Sequence, residues 1–456
     1  MLKRLLSISI LLLPAVTLAN DSAHEYRLEN GLKIIVHEDH RAPVVVSQIW
    51  YKVGSSYEHD GITGVSHVLE HMMFKGTKKH APGEFSRIIA ENGGSENAFT
   101  SLDYTAYFQR LEKSRLPIAF ELEADRMRGL LLPEEEFHKE RQVVIEERRT
   151  RTEDKPTAMT YEQFRATAFT ASPYRMPVIG WMNDLESMEV EDLRAWYQRW
   201  YAPNNATLVV AGDVVPEEVY ALAKQHFGPL KPSDLKPLKP RIEPEQLGIR
   251  RINVKLPARQ PYLLMGYKAP VLNTTEADWE PYALEVLAGI LDGGDSARLA
   301  NTLVRGSQIA ASAGAGYGLY DRLSDLFLFD GIPAEGQSVE AVEQGLREQI
   351  EKIKNEPVGA DEMKRVKAQV VAAAVYERDS IFYQAMQIGT LETIGLGWKH
   401  LDEYVERVRS ITPAQVQQVA KKYLVDERLT VAVLDPQPME QGKSRRPATA
   451  GGRHGG

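Results

Sequence analysis

The chain has 456 residues, more than one ordinary hydrophobic core accommodates, so two or more domains are expected. Hydrophobic residues make up 43% and charged residues 26%, the balance of a globular protein. The formal net charge of −8 argues against nucleic acid as the main partner, and the absence of cysteine excludes disulfides and leaves only histidine and carboxylates to build a metal site.

The N-terminus reads as a secretory signal over residues 1–19. Lys3 and Arg4 form a positive start, Leu5 to Leu18 an apolar run, and Ala19 a cleavage point. The run is short for a bilayer span and contains Ser7 and Ser9, so no stable membrane span is expected after cleavage. This places the mature protein in a periplasm, with extracellular export as the alternative.

The first part, residues 20–230, opens with strand patterns over 32–37 and 44–51. A helical pattern follows over 63–75. A long polar helix is expected over 133–153, opened by Glu134, Glu135 and Glu136, which oppose the positive end of its dipole. This part closes with a helix over 190–201 and a strand over 206–211. Residues 231–245 are rich in proline and lysine and read as a semi-rigid linker. The second part, 246–436, repeats the plan. Its strands are expected over 251–256 and 261–267, helices over 279–291, 360–378 and 413–423, and a last strand over 429–434. The tail, 437–456, lacks core residues and is expected to be disordered. Matching order over this length indicates duplication. Strands grouped before helices indicate an α+β fold: two homologous halves, each a mostly antiparallel sheet covered by helices.

Within the 63–75 helix lies His67-Val68-Leu69-Glu70-His71. Residues four apart stack on one helix face, so His67 and His71 reach one metal ion. Val65, Leu69 and Met72 recur on another face and anchor the helix in the core, and Gly76 follows as a helix stop. Zinc at a catalytic site takes three protein ligands and keeps one position open. The 133–153 helix offers the third. Glu140 and Glu147 are seven residues apart and share a face, with Val143 and Val144 pointing between them into the core.

These residues resemble the inverted zinc motif of the pitrilysin/insulinase family, which includes the mitochondrial processing peptidases. The segment from Gly64 to Thr77 is similar throughout, and Gly93 to Thr105 resembles the family's substrate-edge strand. The resemblance covers about residues 25–435. It implies a zinc endopeptidase acting on peptides or unfolded segments. His67, His71 and Glu147 are the implied Zn2+ ligands, with Glu147 rather than Glu146 as the third. Glu70 and Glu140 are the implied catalytic residues, Glu70 as general base and Glu140 in support of the ligands. Asn97 and Ala98 are the implied substrate-binding edge.

In one respect the chain departs from the family. Active members carry an Arg and a Tyr seven residues apart in the second half, where they clamp the substrate. Here Arg305 is present, but Ser312, or Ala311 if the turn is one residue shorter, holds the Tyr position. Tyr317 is displaced by five residues from Ser312, an odd offset that reverses its facing side on a strand. The family includes pairs of related subunits that divide the zinc motif and the clamp between them. A heterodimer with a homologous, non-zinc subunit is therefore expected, with a homodimer as the alternative. The competing function is a non-catalytic structural, assembly or peptide-binding subunit.

Overall fold

The computed structural model describes residues 23–439. The signal segment at 1–19 and residues 440–456 of the expected tail lie outside the described residues.

The first sheet contains β1 (Ala23–Arg27), β2 (Lys33–Glu38), β3 (Val44–Tyr51), β4 (Ser95–Thr100), β5 (Thr105–Glu112) and β6 (Ala206–Gly212). Its order is β1-β2-β6-β3-β5-β4. The second contains β7 (Arg250–Pro257), β8 (Tyr262–Ala269), β9 (Ala310–Gly316), β10 (Asp325–Pro333) and β11 (Leu429–Gln437), in the order β7-β11-β8-β10-β9. Apart from β1 the two orders correspond strand for strand. In each sheet one pair is parallel, β2 with β6 and β7 with β11, and the other pairs are antiparallel. The fold is α+β, built from two matching halves.

The first half carries α1 (Val65–Met72), α2 (Glu84–Glu91), α3 (Leu116–Gly129), α4 (Glu134–Arg148), α5 (Pro156–Ala168), α6 (Met182–Ser187), α7 (Val190–Trp200) and α8 (Pro216–Phe227). The second carries α9 (Trp279–Asp292), α10 (Val339–Asn355), α11 (Ala360–Glu377), α12 (Ile381–Ile394), α13 (His400–Ser410) and α14 (Pro413–Tyr423). None is long and apolar enough to cross a membrane. Residues 231–245 form no helix or strand. They are pinned all the same: the Glu243 carboxylate accepts from the backbone N–H groups of Thr170, Ala171 and Ser172 and from Lys268.

Strands β3 and β6 are buried almost end to end, on both faces. Alternation fails because both faces are covered, one by the half's own helices and the other by a helix from the opposite half. Helix α12 of the second half lies on β3 and β6 of the first sheet. Ala385, Ile388 and Trp398 pack there with Ile35, Val46, Trp50 and Val209. In return, α5 of the first half lies on β7, β8 and β11 of the second sheet. Phe164 and Ala168 pack there with Leu264, Leu326 and Ala432. Lys33 and Glu392 are paired across the first contact at 2.8 Å, and Arg165 and Asp325 across the second at 3.0 Å.

Two expected helices differ in extent. The 63–75 helix spans only Val65–Met72, because Gly64 at its start holds a left-handed φ of 88° and the chain turns away after Met72. The 133–153 helix is regular to Arg148 and then widens into a π-helical turn over Arg149–Glu153.

At Gly389 of α12 an added Cβ would stand 2.1 Å from the Trp50 ring, which is fully buried. Overpacking of this kind costs about 1–3 kcal/mol. Gly389→Ala should therefore lower the midpoint of denaturant unfolding. An unchanged midpoint would show that α12 is not held by this contact.

Candidate active site

Helix α1 is fixed before its functional face is considered. Val65, Val68, Leu69 and Met72 are fully buried on one side. At its start the Glu58 carboxylate accepts from the Gly64 N–H at 2.7 Å and the Ser66 N–H at 2.8 Å. These are donors that a helix N-terminus leaves without intrahelical partners. Burial pushes the Glu58 carboxyl up to about 7, against the pull of those donors.

The other side of α1 presents His67, Glu70 and His71 towards α4. One ligand atom from each of His67, His71 and Glu147 lies within 4.8 Å of the others. Glu147 Oε1 is 3.7 Å from His67 Nε2, and its Oε2 is 3.6 Å from His71 Nε2. Two imidazole nitrogens and a carboxylate oxygen converging at this spacing suit zinc, with a fourth position left for water. Glu146 points elsewhere and pairs with Arg149.

Electrostatics around the three ligands fit a metal. Burial, with His71 and Arg151 nearby, drives the His67 pKa down to about 3, so its imidazole is neutral and keeps a lone pair to donate. For His71, burial is outweighed by the hydrogen bond to Glu140 and by the Glu70 and Glu147 carboxylates, which hold its pKa above the usual value. That excess of carboxylates around one imidazole is what a bound cation would balance.

The supporting residues divide the work. Glu140 Oε2 accepts from His71 Nδ1 at 3.1 Å, and its Oε1 meets Lys75 Nζ at 2.7 Å. A carboxylate behind a histidine fixes the tautomer and aims Nε2 at the metal. His67 has no such support: its Nδ1 is buried without a hydrogen-bond partner. Glu70 is hydrogen-bonded by the Thr100 hydroxyl. Burial raises the Glu70 carboxyl above its usual value, although Thr100 and His71 oppose the shift. Thr100, Lys75 and Arg151 (2.5 Å from Glu147) were not singled out from sequence. The only signal was their place inside or beside the motif segments.

One expectation about the site helix is corrected. Val144 is fully buried, but Val143 is 48% exposed. With Glu140 and Glu147 facing α1, only one flank of the α4 stripe meets the core.

Asn97 and Ala98 lie on β4, the edge strand of the first sheet. The Asn97 side chain is exposed and accepts from the Ala98 N–H at 2.9 Å. At the end of the same strand Thr100 touches Glu70, so the open edge runs directly to the metal site. Arg305 is placed differently. Its guanidinium donates to the Asp295 carbonyl and the Asn301 side chain. Ser312 is exposed on β9, the edge strand of the second sheet. Among the described residues, no hydrogen bond or ion pair joins Arg305 or Ser312 to the triad. Tyr317 is committed elsewhere: its hydroxyl donates to the Pro270 carbonyl at 2.5 Å and its ring stacks on Phe327.

The chain matches two family models in succession. Residues 33–180 match the insulinase family, peptidase family M16, and residues 187–370 match the peptidase M16 inactive domain. The protein belongs to the M16 family of zinc proteases. Among its relatives is the zinc protease PqqE of Helicobacter pylori, 33% identical over 95% of this chain and 99% of the relative. A zinc protease of Streptomyces coelicolor is 28% identical over 93% of this chain and 92% of its own. Of the solved structures, a protease from Helicobacter pylori superposes with a TM-score of 0.85 at 31% identity, covering 91% of this chain and 99% of that one. The first half of the periplasmic protease PqqL from Escherichia coli shares the fold, with a TM-score of 0.76 at 20% identity over 91% and 92% of the two chains.

Loss of the carboxylate behind a metal-bound histidine typically weakens metal binding 10–100-fold. Glu140→Gln should weaken zinc by about that factor in competition against a chelator, with the fold intact by circular dichroism. Unchanged affinity would mean that Glu140 does not orient His71.

Proposed function

We propose that the protein is a zinc endopeptidase that binds its substrate as an added strand on the free edge of β4 and hydrolyses it with Glu70 as general base. The observation that carries this reading is the continuity from that edge, through Thr100, to Glu70 and the triad. A peptide paired to an exposed strand gains main-chain hydrogen bonds without a demanding sequence requirement. Ala98 and Asn97 offer those bonds, and the Asn97 amide gives up its own contact with the Ala98 N–H as the peptide docks.

Zinc held by His67, His71 and Glu147 supplies Lewis acidity when bound, making water nucleophilic near neutral pH. Glu70 removes a proton from the attacking water. A C–O bond forms at the scissile carbonyl, and Glu70 then passes the proton to the leaving nitrogen as the C–N bond breaks. Thr100 keeps the Glu70 carboxylate turned towards this task. Glu140 keeps His71 aimed, and Lys75 balances the charge of Glu140. The acid, the amine and the enzyme's starting form balance at the end of the cycle.

A second part of the proposal concerns what the chain leaves out. The polar partners of the triad come from the first half, and by count Ser312, or Ala311 if the turn is one residue shorter, falls where the family resemblance places an oxyanion-stabilising Tyr. Removing one such donor typically costs 10²–10³ in rate. We therefore infer a heterodimer in which a homologous subunit without the zinc motif brings the Arg/Tyr clamp. The mature chain is assigned to the periplasm on the signal-like residues 1–19.

Two measurements test these assignments separately. Glu70→Gln should abolish peptide cleavage while zinc stays bound at one equivalent, and residual wild-type turnover in that variant refutes the general-base role. Peptide hydrolysis by this chain alone should be lower by about 10²–10³ than with the homologous subunit added. Full activity of the isolated chain would overturn the heterodimer and leave the Glu70 assignment standing.

A further inference from the structure

Helix α4 does not simply stop beside the triad. After Arg148 it widens into the π-helical turn Arg149–Glu153, where the Asp154 N–H donates to the Arg149 carbonyl at 2.7 Å. Such turns are rare and recur at functional sites. This one is held firmly. Arg148 is buried and donates to the Glu162 carboxylate at 2.8 and 2.9 Å and to the Gly180 carbonyl at 2.8 Å. The turn carries two further arginines. Arg149 pairs with Glu146, which is not a ligand. Arg151 turns back onto the site, where its Nη1 meets Glu147 Oε1 at 2.5 Å.

Arg151 differs from the other cation of the site. Lys75 is committed to Glu140 at 2.7 Å and is 28% exposed, whereas the Arg151 side chain is 72% exposed. Among the described residues, Glu147 is the only ion-pair partner of Arg151. A guanidinium has five N–H groups, so most of this one is left for a ligand. Its charge reaches the centre of the site, where it acts on His67 and Glu70 as well as on Glu147. Charge balance points the same way. A divalent ion on the triad, together with Lys75 and Arg151, outweighs the carboxylates of Glu70, Glu140 and Glu147. The loaded site is then cationic, and Arg151 is its accessible end. The distances are short. Glu147 Oε1 lies 2.5 Å from Arg151 Nη1 and 3.7 Å from His67 Nε2. An extended peptide advances about 3.3 Å per residue, so these two steps span about two residues of substrate.

We propose that Arg151 determines specificity by receiving a carboxylate of the peptide substrate within about two residues of the scissile bond. The carboxylate belongs to an acidic side chain or to the end of the peptide. An arginine fork takes a carboxylate through two parallel N–H bonds, and contact with Glu147 fixes its aim. The inference rests on the peptidase reading above and adds to it a class of substrate, peptides with a negative charge beside the cleaved bond.

The test uses the full zinc-loaded chain and a set of internally quenched peptides, amidated at the C-terminus, with Asp, Asn or Lys placed in turn at each position. Cleavage sites are mapped by mass spectrometry. At the favoured position kcat/KM for Asp should exceed that for the neutral isostere Asn by at least about tenfold. Arg151→Met should bring this ratio close to one, and Arg151→Lys, which keeps the charge without the fork, should retain part of it. A ratio read on one protein sample cancels differences in zinc loading. Binding gives a second readout: zinc-loaded Glu70→Gln should hold the Asp peptide more tightly than the Asn peptide by fluorescence anisotropy, and adding Arg151→Met should remove the difference. The Asn peptides with a free C-terminus separate the two sources, since a preference for them assigns the contact to the terminal carboxylate and a preference for internal Asp assigns it to a side chain. Cleavage without either preference, or a preference that survives Arg151→Met, would overturn the proposal. So would a loss of rate in Arg151→Met that is equal for all peptides, the mark of a group that acts on the reaction and not on the choice of substrate. In each of these cases the peptidase reading stands. If no peptide is bound or cleaved, that reading fails and takes this inference with it.

Discussion

Everything in this molecule rests on an exchange of covering helices. The inner strands of each sheet are buried on both faces, yet each half supplies helices for only one of them. The second face of the first sheet is closed by α12, and that of the second sheet by α5. The two contacts solve the same steric problem in opposite ways. In one, the strand supplies the bulk: Trp50 of β3 fills the space that Gly389 leaves on the helix. In the other, the helix supplies it: Phe164 of α5 fills the space above Gly266 of β8. A buried aromatic of this kind is worth about 3–5 kcal/mol against alanine. Separating the halves would expose both faces at once, so they stand or fall together.

A second contact between the halves bears on the site more directly. The loop joining β4 to β5 carries Asp103, and the loop joining β9 to β10 carries Arg322. These equivalent hairpin tips meet. Asp103 accepts from Arg322 Nε at 2.8 Å and from Ser56 at 2.6 Å, and the Tyr174 hydroxyl closes the group. The Arg322 guanidinium also lies over the Tyr57 ring. An ion pair this enclosed is weak evidence for net stability, because desolvation offsets the attraction. Its geometric effect is clearer. It anchors the tip of the hairpin whose outer strand, β4, carries Thr100 to Glu70. The second half therefore helps to set the edge of the metal site without lending it a ligand.

Much of this was legible in the sequence, and the reasons are specific. His67 and His71 were readable because a helical period places them on one face. Glu147 was implied by the family resemblance, and its spacing to Glu140 agreed with that choice. Strands β3 and β6 were readable as apolar runs, since two-sided burial removes polar residues from them. The exchange of α5 and α12 was not readable. An apolar helix face declares that it is buried, not against which sheet, and both helices follow elements of their own half in the chain. Thr100, Lys75 and Arg151 were missed for a related reason. A single hydroxyl or cation carries no periodic signal, and its role depends on a partner that only the fold brings near. Val143 failed because the stripe on α4 is wider than the surface it covers.

The two halves also show what duplication leaves free to change. A cluster of two imidazoles and three carboxylates inside a protein is costly to desolvate unless a cation compensates it. The first half keeps the whole set, with Lys75 and Arg151 drawn in beside the carboxylates. In the second half the positions matching His67, Glu70 and His71 on α9 are Glu285, Ala288 and Gly289, and those matching Glu140 and Glu147 on α11 are Val366 and Ala373, so both histidines and all three carboxylates are replaced together. Losing only some of them would have left charged groups buried without a counter-charge.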